Sequence, residues 1–399
     1  MDLRFTAEET AFRQEVRTFF EKALPADIRR KTERGQRISK EEMLRWVRIL
    51  HDRGWATPAW PREWGGTGWD AVKQYIFKEE LHLAPAPEPI SFNMNMIGPT
   101  LIAFGSEAQK RHFLPRIARM DYWFCQGFSE PGAGSDLASL RTTATRDGDH
   151  YVIDGQKLWT STAHHADWCF VLARTDSGAR KQQGISYLLM DMKSPGVTVR
   201  PIVTIDGHHE TNEMFLDKVR VPAGHLVGEE NKGWDYAKYL LGHERSGIAR
   251  VGISKMRLRR ARELAAQVMQ GGRPLIEDER LRERMAELEV ELKALEITQM
   301  RLIAEIGRRD DGKPDPKSSI LKMKGSQLQQ ASAELLLEVA GYSALEFDPA
   351  FVSGSSAPVE GDDWALAIAP NHYWARHVSI VGGSNEIQRN ILAKTVLGL

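Results

Sequence analysis

Two segments of this 399-residue chain combine residue types that ligand sites need with a loop-like composition. The first, GFSEPGAGSD from Gly127 to Asp136, follows a predicted strand and contains three glycines among small polar residues. Because glycine has no side chain, the backbone N–H groups of such a loop can approach a flat or anionic ligand closely. The same composition is also compatible with a tight connection that binds nothing. The second, DGQKLWTSTA from Asp154 to Ala163, places Trp159 beside the hydroxyls of Thr160 and Ser161, which could face an aromatic ring system or belong to a β-domain core.

Two further segments lie in the C-terminal part of the chain. SIVGGSNEIQR, from Ser379 to Arg389, has the composition of a backbone turn pressed against a ligand. LLGHERSGIARVG contains Glu244 among apolar neighbours, with the small residues Gly247 and Ala249 on its C-terminal side. A carboxylate with room beside it can act as a general base. The alternative is an ordinary surface pair of Glu244 with Arg245.

Two histidine pairs and two cysteines could also be read as chemical sites. The pairs His164-His165 and His208-His209 stand in polar loops without a third spaced ligand, so we interpret them as solvated loops and predict no metal site. Cys125 and Cys169 lie in apolar runs, which favours buried free thiols over a disulfide.

Composition narrows the class of protein. The chain is 42% hydrophobic and 27% charged, with 54 basic and 54 acidic side chains. The absence of a basic excess argues against a nucleic-acid-binding protein. No apolar run approaches the roughly 20 residues of a membrane span, and the first residues do not resemble a signal peptide. We therefore expect a cytoplasmic protein.

The hydrophobic periodicity changes twice along the chain and predicts three domains. Residues 1–120 show helical spacing, including a capping-box pattern at Thr6 and Glu9. Residues 121–231 contain short β-rich runs separated by turn signals, as in a small antiparallel barrel. Residues 232–399 are helical again, with an irregular insertion at about 343–371. The predicted fold class is therefore α+β and multidomain, with an N-terminal helical domain, a middle antiparallel β-barrel and a C-terminal helix bundle.

One long helix of the third region carries a coiled-coil-like seam. Its apolar residues alternate in steps of four and three from Leu281 to Ile306, with Gln299 as the one polar member. Such a seam is typical of a helix bundle or of a subunit interface.

The order of these segments resembles the acyl-CoA dehydrogenase family of flavoenzymes. A helical region, SEPGAGSD, GQKLWTS, long helices and a C-terminal GGSNEIQRN follow one another as in that family, and the resemblance covers essentially the whole chain. Through LLGHERSGIA and NEIQRNILAKTVLGL, the chain is most similar to the large subunit of bacterial pimeloyl-CoA-type dehydrogenases.

The resemblance implies FAD bound between the β-domain and the C-terminal helices. Phe128 and Ser129 would contact the flavin ring through backbone, Trp159 would stack beside it, and Ser161 would donate a hydrogen bond to flavin N5. Ser135 would lie near both pyrophosphate and substrate. The full set that the resemblance assigns to the cofactor is Phe128, Ser129, Gly134, Ser135, Trp159, Thr160, Ser161, Ser384 and Glu386.

The implied reaction is α,β-desaturation of an acyl-CoA thioester. Many relatives carry the catalytic glutamate two residues before Ser384, where this chain has Gly382. Other members place it on the first helix of the C-terminal domain, and Glu244 matches that position, followed by Arg245. The resemblance thus makes Glu244 the base, with Ser135, Arg245 and Gly382 on the substrate side.

Two departures concern the part of the site that a neighbouring subunit completes in relatives. The Arg and Phe that many members have before a glycine are missing from QVMQGGRPLIED, and the usual Gln before a later glycine pair is Glu338. We expect an oligomer, either of this chain alone or a heterotetramer with a related chain, and an electron-transferring flavoprotein as acceptor. The alternatives are a subunit of a heteromeric dehydrogenase or an oxidase-type flavoenzyme.

Overall fold

This computed structural model describes residues 4–244, 249–306, 316–355, 357 and 363–399. The side chains of residues 242–244 and 306 lie outside that description. No helix in the described ranges is long and apolar enough to cross a membrane.

The N-terminal part is helical. Its helices are α1 Ala7–Ala23, α2 Ala26–Glu33, α3 Lys40–Asp52, α4 Ala71–Leu83, α5 Gly98–Phe104 and α6 Glu107–Ala118, with a π-helical turn at Phe92–Ile97. The capping box of α1 is present as predicted, because Thr6 Oγ1 accepts from the Glu9 N–H and the Glu9 carboxylate accepts from the Thr6 N–H.

The middle part is built around a seven-stranded sheet. Its strands are β1 Phe124–Gly127, β2 Thr143–Asp147, β3 His150–Lys157, β4 Trp168–Arg174, β5 Ile185–Asp191, β6 Val197–Val203 and β7 His209–Pro222. The strand order is β1-β4-β2-β3-β7-β6, with β5 on β4. The sheet is mixed, since β1 and β2 each run parallel to β4, a detail that the predicted antiparallel barrel did not include.

The C-terminal part is helical, as predicted. Its elements are α7 Gly233–Glu244, α8 Val251–Ala265, a short hairpin of β8 Met269–Gln270 and β9 Arg273–Pro274, α9 Glu279–Ile306, α10 Ser318–Ala340, α11 Pro349–Val352, α12 Ile368–Trp374 and α13 Asn385–Leu392. The seam of α9 is buried within the chain itself, against α8 and α10. The three-region fold class is thus confirmed.

Two interfaces between these parts position the site. An aromatic core containing Phe128, Phe170 and Tyr187 joins the sheet to α5, α6 and α7. On the other side, Glu79 of α4 accepts from Arg13 at 2.6 Å and from Lys255 of α8 at 2.5 Å. Glu79 is almost fully buried, so this ion pair ties the N-terminal helices to the C-terminal bundle.

Candidate active site

The loop after β1 keeps its backbone in a defined shape while its tip stays open. Glu130 and Ala133 exchange two backbone hydrogen bonds of 3.1 and 3.0 Å. Gly134 and Ser135 are exposed. A Cβ added to Gly132 or Gly134 would meet no chain atom within 4 Å. Internal packing therefore does not require glycine at these two positions, and the space beside them is available to a ligand.

A fully buried cation fixes this loop to the segment that precedes Trp159. Lys157 Nζ donates to the Glu130 carboxylate at 2.8 Å, to the Phe128 carbonyl at 3.3 Å and to the Leu172 carbonyl at 2.7 Å. The Leu158 N–H also donates to the Ser129 carbonyl at 2.8 Å. The two sequence segments predicted to contact the cofactor are thus adjacent, and one side chain connects them.

The Glu130 carboxylate is itself held by several donors. It accepts from the backbone N–H of Arg141 at 2.6 Å and of Thr142 at 3.0 Å. Burial alone would raise the pKa of Glu130, but Lys157 and these donors lower it overall. Burial lowers the pKa of Lys157, against the attraction of Glu130.

Trp159 has the exposure and backbone of a ligand-facing residue. It is 58% exposed and adopts a left-handed φ of 59°. A bulky residue with positive φ is uncommon and is associated with functional sites. The neighbouring Thr160 is buried, and its Oγ1 has no hydrogen-bond partner among the described residues. A buried hydroxyl without a partner is costly in a protein and indicates a place for a missing polar group.

The turn that contains Gly382 is held by helix α10. Gly382 and Gly383 have φ values of 67° and 87°, which side chains other than glycine rarely adopt. Ser384 then caps α13, and Gln388 Nε2 donates back to the Gly383 carbonyl at 3.1 Å. From α10, buried Lys322 donates to the Ser379 carbonyl and to Asn385 Oδ1, both at 3.0 Å.

Of the other predicted residues in this region, Glu386 is fully exposed in the first turn of α13. Its pKa is lowered by backbone and Ser384 hydrogen bonds there. Helix α7 ends at Glu244, whose side chain lies outside the described part of the structure, as does the whole of Arg245.

The described neighbours nevertheless show where the chain goes next. Ala249 is buried against Gly325 of α10, so closely that a Cβ on Gly325 would lie 2.6 Å from the Ala249 Cα. The next residue of α10, Ser326, donates to Asn385 Oδ1 at 3.1 Å. The chain after α7 and the Gly382 turn therefore pack against the same turn of α10.

The sequence analysis missed two supports of the Trp159 segment. One is the Lys157–Glu130 pair, although both residues stand inside the quoted motifs, where a charged residue among apolar neighbours was the available signal. The other is Asn212 of β7, whose partners are distant in sequence. The histidine pairs are also not simply solvated, because the His164 ring stacks on His209 with a centroid distance of 4.0 Å. Within the described ranges, no group of three or more His, Cys, Asp or Glu is arranged to hold a metal.

Models of the three acyl-CoA dehydrogenase domains match consecutive parts of the chain. The N-terminal domain model covers residues 6–121, the middle domain model 125–219 and the C-terminal domain model 231–397. Acyl-CoA dehydrogenase IpdE1 of Mycobacterium tuberculosis is 39% identical over 90% of this chain and 88% of its own length. The chain belongs to the acyl-CoA dehydrogenase family. The family identification made from sequence is confirmed, and with it membership of a family of oxidoreductases that act on CH–CH groups.

Solved structures share this fold over the whole chain. The ChsE4-ChsE5 complex from Mycobacterium tuberculosis contains a chain that is 34% identical with a TM-score of 0.83, covering 100% of this chain and 99% of that chain. The Tcur3481-Tcur3483 steroid ACAD contains a chain that is 32% identical with a TM-score of 0.85 and the same coverage.

Members of the acyl-CoA dehydrogenase family are FAD-dependent flavoproteins. The residues described above fit such a cofactor. Trp159 offers an exposed ring, Thr160 offers an unpartnered hydroxyl, and the loop at Gly132 and Gly134 leaves space for an anionic group beside exposed backbone.

Proposed function

We propose that this acyl-CoA dehydrogenase converts an acyl-CoA thioester to the trans-2-enoyl-CoA with Glu244 as the base. The observation that carries the proposal is the exposed Trp159 beside the buried, unpartnered hydroxyl of Thr160, on a backbone that two sets of buried contacts hold in place. When bound, FAD supplies the acceptor for the hydride that leaves the β-carbon.

The chain's own residues bind and orient the cofactor. Phe128 and Ser129 offer backbone groups whose carbonyls are already fixed by Lys157 and Leu158. The hydroxyls of Thr160 and Ser161 provide donors beside the ring of Trp159. Gly134 and Ser135 provide backbone N–H groups at the loop tip. Ser384 and Glu386 approach from the start of α13.

Proton removal and carbonyl polarisation belong to the C-terminal half of the site. Glu244 takes the α-proton, and a well-placed base contributes roughly 10²–10⁴ in rate. An α-proton of a thioester is weakly acidic, so a donor to the carbonyl oxygen must stabilise the developing negative charge. The backbone N–H of Gly382 provides that donor, and Arg245 lies on the substrate side. Packing of both chain segments on one turn of α10 supports this assignment.

We further propose that the acyl group is bulky and ring-containing. Gly382 has no side chain at the position where many relatives carry a glutamate, which enlarges the acyl pocket at that end. One structurally similar protein is titled a steroid ACAD. A further relative, 31% identical over 88% of both chains, is the cyclohexane-1-carbonyl-CoA dehydrogenase of Geobacter metallireducens.

The partner in this proposal is a second, related chain. Two similar structures are described as complexes of two differently named components. In this chain, Glu338 is paired with Arg284 of α9 at 2.7 Å, and the segment around Gln270 is an exposed hairpin tip with positive φ at Gly271 and Gly272. The residues that relatives use toward a neighbour's FAD are therefore changed here. We propose an electron-transferring flavoprotein as the acceptor.

The test compares acyl-CoA esters with the purified protein under anaerobic conditions. A ring-containing acyl-CoA, such as a steroid side-chain thioester, should bleach the flavin absorbance faster than a straight-chain ester such as octanoyl-CoA. A flavin-loaded protein that no acyl-CoA bleaches would refute the proposal. Preference for the straight chain would refute the substrate class, and rapid oxygen consumption would refute the proposed acceptor. Flavin bound by the chain alone as tightly as with a co-expressed relative would refute the need for a second chain.

A further inference from the structure

A polar network beneath the Trp159–Thr162 segment depends on one amide side chain. Asn212 is fully buried in β7. Its Nδ2 donates to the Thr160 carbonyl at 2.9 Å and contacts His164 Nδ1 at 3.1 Å, while its Oδ1 lies 2.7 Å from His209 Nε2. In the other direction, the Thr160 N–H donates to the Asn212 carbonyl at 2.9 Å.

The Thr160 carbonyl decides how these hydrogen bonds run. A carbonyl oxygen can only accept, so the Asn212 atom facing it must be the NH₂ group. Its Oδ1 then faces His209 and must accept a hydrogen bond from His209 Nε2. The second N–H of the amide faces His164 Nδ1, which must accept and so carries no proton. All three hydrogen-bonding capacities of the amide are used only when His164 is uncharged.

We propose that Asn212 is a positioning residue that holds Thr160 and Ser161 in the cofactor-binding geometry only while His164 is neutral. Protonation of His164 would set its Nδ1–H against the Asn212 N–H. The amide would then have to turn away, which would release the Thr160 carbonyl immediately before Ser161. This inference rests on the proposed function, because it assigns the network to the segment proposed to bind flavin.

The charged surroundings of His164 favour its neutral form. His165 lies on the same turn with a ring distance of 4.0 Å, and the His209 ring lies at 4.0 Å on the hairpin that also carries His208. Desolvation, together with His165 and His209, lowers the pKa of His164 to about 4.

Charged groups from neighbouring elements surround the cluster. Lys40 and Glu41 of α3 act on His165, whose carbonyl accepts from Lys40 Nζ at 2.6 Å. Arg37 and the buried Asp206 act on His208 and Glu210. The Glu210 carbonyl accepts from the Thr162 N–H at 2.8 Å, so the far end of the same segment lies against this cluster.

The decisive variant is Asn212→Asp, tested in the flavin-loaded protein. A carboxylate accepts from both histidines, so we expect it to raise the pKa of His164 by roughly 1–3 units. The histidine titration is followed by NMR, together with the amide signal of Ser161 and the visible flavin spectrum between pH 4 and 7. In the unaltered protein the Ser161 signal and the flavin spectrum should change only near the acid end. In Asn212→Asp both should change at the higher pH at which His164 now titrates.

His164→Phe is the second variant, since it keeps a ring for stacking and removes the titrating nitrogen. It should abolish the pH-dependent change. His150→Phe, at the opposite end of β3 beside Asp149, is the matched control and should leave it unaltered. A titration of His164 that moves in Asn212→Asp without moving the Ser161 signal would overturn the proposal. If no flavin is bound at any pH, the proposed function fails, but the coupling between His164 and Ser161 is still read from the NMR signals.

Discussion

The segment that leads to Trp159 and the turn that contains Gly382 both present backbone to the candidate site, but they are held in different ways. The Trp159 segment is fixed by side chains buried inside the β-domain, chiefly Lys157, Glu130 and Asn212. The Gly382 turn is fixed by polar side chains of one helix, α10, and has two consecutive left-handed glycines. Loss of a contact in the first region should therefore reduce stability and cofactor retention together. Changes in the second region should alter chemistry and specificity while the cofactor stays bound.

The largest effect is expected at Glu244, on the C-terminal side of this comparison. Glu244→Gln keeps the shape of the side chain and removes its basicity, so the rate of flavin reduction by acyl-CoA should fall by roughly 10²–10⁴. Flavin should remain bound, because the residue is assigned to substrate. Stopped-flow bleaching measures the rate, and the visible spectrum measures occupancy.

The matched control for that variant is Glu263→Gln, on the exposed face of α8. It should reduce flavin at the normal rate. A near-normal rate in Glu244→Gln would mean that the base is a different residue.

The next largest effect is expected at Lys157, on the β-domain side. Lys157→Met leaves the buried Glu130 carboxylate without its cation, which typically costs about 3–5 kcal/mol. We expect a lower urea midpoint of unfolding and easier loss of flavin on dialysis.

Lys181→Met is the control for Lys157→Met. It removes an exposed ion pair with Asp136, where both side chains are more than half exposed, and should cost at most about 1 kcal/mol. Adding Glu130→Gln to Lys157→Met should restore part of the stability. Equal midpoints for the two lysine variants would contradict the role given to the buried pair.

These two regions also differ in how far the sequence predicts them. Helix periodicity and caps placed α4 at its observed bounds, and α6 within one residue, because both signals are local. The strand predicted at residues 213–215 is in fact β7, which runs from His209 to Pro222 because it pairs with β3 on one side and β6 on the other. Pairing across the sheet leaves no periodic signal, so Asn212 and its partner His164, 48 positions apart, could not be linked from sequence. The family resemblance supplied the site motifs, whereas the contacts that hold them required the structure.

A smaller effect is expected where the C-terminal half meets the N-terminal helices. Arg250, at the start of α8, has a left-handed φ of 46° and donates to Glu88 at 2.8 Å, with Lys78 and His82 also close to that carboxylate. Burial would raise the pKa of Glu88, but Arg250, Lys78 and His82 hold it well below its usual value. A carboxylate with a lowered pKa stabilises the fold above its unfolded pKa and loses that contribution as pH falls through the folded value.

Arg250→Met should therefore lower stability at neutral pH and weaken its decline on acidification below about pH 4.5. We expect a cost of about 1–2 kcal/mol, reduced from that of a fully buried pair because two cations remain and Arg250 is partly exposed. Urea unfolding at several pH values measures both effects. Arg259→Met, on the exposed face of α8, is the control. An unchanged pH profile in Arg250→Met would show that the pair does not hold this junction.

The smallest effect on stability, and the sharpest test of the comparison, is expected at Gly382. Gly382→Ala places a Cβ on a residue with φ of 67°, which costs about 1–2 kcal/mol. Flavin should remain bound, because the contacts of the β-domain are unchanged, but the ratio of kcat/KM for a ring-containing over a straight-chain acyl-CoA should fall as the pocket narrows. Gly224→Ala, where a Cβ meets no atom within 4 Å and φ is not left-handed, should change neither quantity. If Gly382→Ala released flavin and left the substrate ratio unchanged, the two halves of the site would not be divided as proposed.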